Sequence, residues 1–200
     1  MRAVPPTSPL WTVGHSNHSA GDFLDLLRGC NIEVVADVRS TPYARYTPHF
    51  SQPALRNLLA RAGLEYVFLG RELGGRPPEQ ELYDDDGHVL YGRLARTPRF
   101  DSGLARLREI ACKQRAAMMC SEENPTGCHR RLLVTRALLE RDPTSPVIHI
   151  RGDGSTIDEA DLARAADGHR QLGLFGQEEQ PWKSARSVSR STPLKVSSAR

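Results

Sequence analysis

The chain has 200 residues, 38% of them hydrophobic, and a formal net charge of +3. That suits one ordinary domain with extensions and a real core, on the polar side of average. No apolar run approaches transmembrane length and the first ten residues lack the apolar stretch of a secretory signal. A cytoplasmic protein is expected, with Cys30, Cys112, Cys120 and Cys128 as reduced thiols.

Five short apolar runs read as buried strands: residues 10–13, 33–38, 66–69, 116–120 and 147–150. Helical patterns alternate with them. Ser19 can cap the first helix with Asp22 at its third position, and Gly29 suits its end. Ser51 and Pro53 open a second, which stops at Gly63. Residues 104–110 give a third and 130–141 a fourth, ended by Pro143. A last short helix is expected over 158–166. Cys30 and Cys112 fall in helical contexts and read as packed small hydrophobes. Residues 74–97 break the alternation with Gly-Gly-Arg-Pro-Pro and an acidic Asp84-Asp85-Asp86-Gly87 turn. They read as a long excursion over one edge of the sheet, of the kind often used as a lid or binding loop. Strand–helix alternation predicts an α/β fold: a mainly parallel sheet with helices on both faces, a Rossmann-like three-layer single domain. Residues 1–9 then form an N-terminal extension, 10–167 the domain and 168–200 a flexible tail. From residue 181 onward that tail has Lys183, Arg186, Arg190, Lys195 and Arg200 and no acidic residue. Such a basic, Ser-rich stretch reads as disordered, either merely solubilising or attracted to nucleic-acid phosphate.

In a parallel sheet all the strand-end loops gather at one carboxyl edge, where open α/β sheets place ligands. Those loops are rich in reactive groups. After the first strand come His15, Ser16, Asn17 and His18; after the second, Asp37, Arg39 and, further on, Arg45. After the fourth come Cys120, Glu122, Cys128, His129, Arg130 and Arg131. Arg39, Arg45 and Arg130 could recognise phosphate or carboxylate with bidentate forks, and the amides opening the fourth helix favour an anion too. The alternative is that some of these arginines pair with Asp37 or Glu122 to hold loops. Cys128, at the expected helix start beside His129 and Arg130, is the better nucleophile candidate. Cys120 is a second thiol that could resolve a disulfide or help bind metal. Glu122 and His15 could move protons, and Ser16 and Asn17 could bind ligand. Tyr43, Tyr46 and Phe50 could stack on a base or pack under their loop. Five residues after Cys120 stands Thr126, so this is not the tyrosine-phosphatase Cys-x5-Arg loop, nor is it a Cys-x2-Cys knuckle. No cofactor is required; zinc on Cys120, Cys128 and His129 or His15 is an alternative, as is plain packing of both cysteines.

Gly14-His15-Ser16-Asn17, Asp37-Val38-Arg39 with Pro42 and Arg45, and Cys120-x-Glu122-x-x-Pro125-x-x-Cys128-His129-Arg130 together resemble the domain of unknown function (DUF) 488 family, over about residues 10–150. The resemblance implies a bacterial or archaeal α/β protein with a pair of motif cysteines and names no substrate. Ala44 stands where the family is expected to carry a small hydroxyl residue, which speaks against a catalytic role there. In the tail, Gln171-Leu172-Gly173-Leu174-Phe175 resembles the pentapeptide by which bacterial DNA enzymes bind the replicative sliding clamp. Leu174 and Phe175 would anchor in an apolar pocket with Gln171 at its rim; the alternative is that Leu172, Leu174 and Phe175 pack back onto the domain.

Three functions follow. The first is an enzyme acting on a nucleotide or nucleic acid at an Arg/Cys/His site and brought to DNA by the clamp, in replication or repair. The second is a non-catalytic nucleotide or nucleic-acid binding module. The third is a metal or redox protein using Cys120 and Cys128 as a pair. No membrane partner is expected.

Overall fold

The computed structural model of the protein describes residues 8–167 and 182–186. The strands are β1 (Leu10–Gly14), β2 (Val34–Asp37), β3 (Glu65–Phe68), β4 (Ala116–Cys120), β5 (Val147–Ile150) and β6 (Thr156–Asp158). Among the described residues they form a six-stranded sheet in the order β3-β2-β4-β1-β5-β6. All neighbours are parallel except β5 and β6. β1 and β4 lie at the centre and are buried along their whole length, which is why both read as unbroken apolar runs rather than as alternations. Gly14 pairs with Cys120 and Asp37 with Met119, so the carboxyl ends of β1, β2 and β4 finish level.

Successive strand residues face opposite ways, so the sheet feeds two cores. On one face Trp11, Val13, Val35, Ala117 and Met119 meet Phe23 and Leu27 of α1 (Ala20–Gly29) and Leu55 and Leu59 of α2 (Gln52–Arg61). On the other, Val34, Ala36, Ala116 and Met118 meet Phe100, Leu104 and Leu107. The chain is thus a three-layer α/β fold. Remaining helices are the short α3 (Gly70–Leu73) and α4 (Tyr91–Leu94), then α5 (Pro98–Lys113), α6 (Arg136–Arg141) and α7 (Glu159–Asp167). Among the described residues no helix is long and apolar enough to cross a membrane.

Local signals act as expected at α1, where the Ser19 hydroxyl accepts from the Asp22 amide at 3.1 Å. Past α2 the chain turns at Gly63, whose φ of 76° only glycine adopts freely. Elsewhere the structure departs from the sequence reading. α5 begins six residues early, because Thr97 caps it by accepting from the Phe100 amide and Pro98 fits a first turn. The fourth helix opens as a π-type turn over Arg130–Thr135 before α6. Asp158 ends β6 instead of starting α7. The excursion holds a 3-10 turn (Gln80–Leu82), an antiparallel bridge between Tyr83 and Val89, and α4. Cys30 is buried, but Cys112 is exposed rather than packed. Most of the expected extension and tail, including Gln171, Leu172, Leu174 and Phe175, lies outside the described residues. Residues 182–186 lie against the domain: the Trp182 indole donates to the Leu132 carbonyl at 2.6 Å and sits beneath the Arg136 guanidinium at 4.4 Å.

Candidate active site

The strand ends of β2 and β4 open into a cavity of about 500 Å3. Its lining comes from the loop after β2 (Arg39, Ser40, Tyr43), the excursion after β3 (Gly75, Arg76, Tyr91), the turn after β4 (Cys120, Glu122, Cys128, His129) and residues 184–186. Of the residues expected at the site, Arg39, Cys120, Glu122 and Cys128 line this cavity; His15, Ser16, Asn17, Arg45 and Arg130 do not.

The floor is a sulfur–imidazole cluster. His129 Nε2 lies 3.0 Å from the Val38 carbonyl. A carbonyl only accepts, so Nε2 carries the hydrogen and, in the neutral ring, Nδ1 holds a lone pair. That lone pair faces Cys120 Sγ at 3.4 Å, placed to take the thiol proton. Gly75 allows the approach: a Cβ there would stand 2.7 Å from the His129 Cβ and Cγ. Cys120 and Cys128 are 6% and 2% exposed, and their sulfurs hydrogen-bond. The bond donated by Cys128 holds the Cys120 thiol below its ordinary value, helped by Arg130 and the Ser121 and Glu122 amides against the cost of burial. Cys128 is pushed up, first by donating to Cys120 and then by burial. Within this pair the directions favour Cys120 as the thiolate and Cys128 as the donor, where the sequence reading favoured Cys128. Tyr91, from the excursion, also lines the cavity; burial raises its phenol, and both sulfurs add to that.

Two of the three expected anion-binding arginines are engaged elsewhere. Arg39 is buried with Asp37, donating from Nε at 2.9 Å and from Nη2 at 2.7 Å, and also donates to the Phe50 carbonyl. Tyr66 completes the set by donating at 2.8 Å to Asp37 Oδ2, the oxygen that Arg39 Nη2 also meets. Arg130 is fully buried; it donates to the Glu122 and Glu123 carbonyls and, from Nε, to Thr12 Oγ1. It shapes the cysteine turn from below. Arg45 is exposed, 5.7 Å from the Tyr46 ring. His15 accepts from Arg39 at 3.1 Å and stacks on Phe50 at 4.4 Å. Burial and then the Arg39 charge lower its pKa from 6.5 to about 4, so at neutral pH the ring is uncharged and props Arg39. Ser16, at φ 45°, ties to the Ser121 carbonyl through its amide, and its hydroxyl meets Asn17. Phe50 is buried, whereas Tyr43 and Tyr46 are 69% and 89% exposed.

Besides Arg39, which is held by Asp37, the cavity is lined by Arg76 and Arg186, both exposed, and neither of these two meets a carboxylate among the described residues. Sequence reasoning named Arg186 only as a basic tail residue and assigned neither it nor Arg76 and Tyr91 to the site, because each sits in the excursion or tail, where no periodicity marks a position. The Cys120 and Cys128 sulfurs and a His129 ring nitrogen lie within 4.8 Å of one another. Those donors fit a zinc-type cation, with the Val38 carbonyl fixing the imidazole as a metal-ligating ring requires.

No curated protein and no solved structure matches the chain. The family model described as Domain of unknown function DUF488 matches residues 19–137, a stretch holding the β2 loop, the excursion and the whole cysteine turn. The chain therefore belongs to the DUF488 family.

Proposed function

We propose that the protein is a thiol-dependent enzyme acting on an anionic substrate, with a nucleotide or nucleic acid as the expected class. The observation that carries this reading is the line Cys120 Sγ, His129 Nδ1, His129 Nε2, Val38 carbonyl on the floor of a cavity rimmed by Arg76 and Arg186. A nucleophile, a base and a group that orients the base are the working parts of covalent catalysis. His129 takes the thiol proton and its imidazolium is held by Val38. The thiolate is held by the Cys128 S–H, the two amides and the buried Arg130 charge. It attacks an electrophilic centre in the cavity, and Tyr91 or the imidazolium returns a proton to the leaving group.

Cys120→Ser is expected to abolish turnover in a panel of nucleotide and nucleic-acid substrates, with Cys128→Ser retaining part of it. Full activity in Cys120→Ser would overturn the assignment. The short distances among Cys120, Cys128 and His129 favour one second reading, a metal centre. Stoichiometric zinc in purified protein, lost in all three single variants, would establish it in place of the free thiolate. Recruitment to DNA by a sliding clamp is part of the proposal and rests on Gln171, Leu172, Leu174 and Phe175. Deleting residues 171–175 should abolish clamp binding in a pull-down, and unchanged binding refutes it.

A further inference from the structure

The region matched by the family model ends at residue 137, yet one wall of the cavity comes from residues 184–186. That wall is anchored at Trp182, Lys183 and Ser184. The Gly92 amide donates to the Trp182 carbonyl at 3.1 Å, and the Trp182 indole is held by the Leu132 carbonyl and Arg136. Lys183 Nζ pairs with Asp84 at 2.8 Å. Ser184 is buried; its amide donates to the Val89 carbonyl at 2.9 Å, and its hydroxyl accepts from the Val89 amide at 3.0 Å. The same hydroxyl donates to the Arg186 carbonyl at 2.8 Å, closing a turn that fixes where Arg186 leaves the backbone. Arg76 is placed in a similar way, its amide donating to Ser40 Oγ at 2.8 Å.

Arg39, Arg130, Arg131 and Arg151, at the same edge of the sheet, all have carboxylate or carbonyl partners. Arg76 and Arg186 have none among the described residues, though both line the cavity. Guanidinium groups without protein partners are suited to bind a tetrahedral dianion through paired N–H donors. We infer that residues 182–186 are a fixed wall of the site, and that Arg186 with Arg76 holds a phosphoryl group of the ligand in the cavity above Cys120. The proposal deepens the reading of the cavity as a thiol site for anions, but the binding of phosphate does not depend on the thiol reacting.

The test uses the full chain with Arg186→Gln, Arg76→Gln and, to unseat the wall, Trp182→Ala. Calorimetry with inorganic phosphate, adenosine monophosphate and a 5′-phosphorylated oligonucleotide should show affinity falling about tenfold in each glutamine variant. The tightest of the three probes in the unaltered chain identifies the source of the phosphoryl group. Unchanged affinity in Arg186→Gln, or no binding of any probe by the unaltered chain, overturns the proposal. Alkylation supplies an independent arm. The Cys120 thiolate displaces iodide from iodoacetamide or iodoacetate, forming a C–S bond as the C–I bond breaks. Arg186→Gln should lower the ratio of the iodoacetate rate to the iodoacetamide rate several-fold, whereas Trp182→Ala should raise the iodoacetamide rate. Loss of phosphate binding in Arg186→Gln while Cys120 resists both reagents would keep the wall and discard the reacting thiol; the reverse pattern would do the opposite.

Discussion

Asp37 is wholly buried at the end of β2, and three neighbours answer to its charge: Arg39, Tyr66 and, through Arg39, His15. Removing the cation leaves that carboxylate without a counter-charge, held only by the Tyr66 hydroxyl and the residue 39 amide. Arg39→Met is expected to cost about 3–5 kcal/mol in denaturant unfolding, and Tyr66→Phe about 1.5–3 kcal/mol. His15 makes the fold sensitive to acid. Below pH 6.5 the unfolded chain binds a proton at His15 that the folded chain refuses until about pH 4. Stability therefore falls as the pH drops through that window, by about 3 kcal/mol in total. His15→Gln should flatten this part of the stability–pH curve, and an unaltered slope would show that His15 is not its source. Residue types were legible in the sequence, but their employers were not. Arg39, Arg130 and Cys128 read as site groups because guanidinium and thiol chemistry is the same whether the partner is a ligand or a buried carboxylate, carbonyl or sulfur. Only packing showed which partner each one has.

At the level of elements, the cysteine turn depends on glycines in other loops. A Cβ on Gly14 would overlap the Glu122 carbonyl, and one on Gly75 would press on His129. Gly14→Ala should destabilise the fold by about 1–3 kcal/mol or more. Gly75→Ala should leave the sheet intact by circular dichroism while slowing Cys120 alkylation at pH 7 about tenfold, since the base is pushed off its thiol. The turn is followed by a π-type segment in which the Thr135 hydroxyl donates to the Arg130 carbonyl at 2.9 Å. Such segments are frequent at functional sites, and this one buries Arg130 beneath the turn. Strands buried on both faces are legible because they need unbroken apolar runs. β6 is Thr-Ile-Asp, too short and too polar to leave a pattern, and it exists because β5 offers it an edge. The π-type turn reads as ordinary helix because its apolar positions, Leu132, Leu133 and Val134, are those of an amphipathic helix.

Across the whole molecule, β1 and β4 occupy the centre of the sheet and β6 its edge. Amide exchange should be slowest at Val13 and Met118 and much faster at Ile157; comparable protection at the edge would contradict this order. A cavity at the strand-end loops was legible from their convergence, whereas its last wall was not, because residues 182–186 carry no pattern that links them to Val89 or Leu132. The distance along the chain between floor and last wall also sets an order of events during synthesis. The sheet, Cys120 and His129 all leave the ribosome before Trp182 does, so the nascent domain can fold with its thiol uncovered. The last wall then closes a pocket that already exists. A chain cut short before Trp182 would keep the floor and stay in that open, solvent-reactive form.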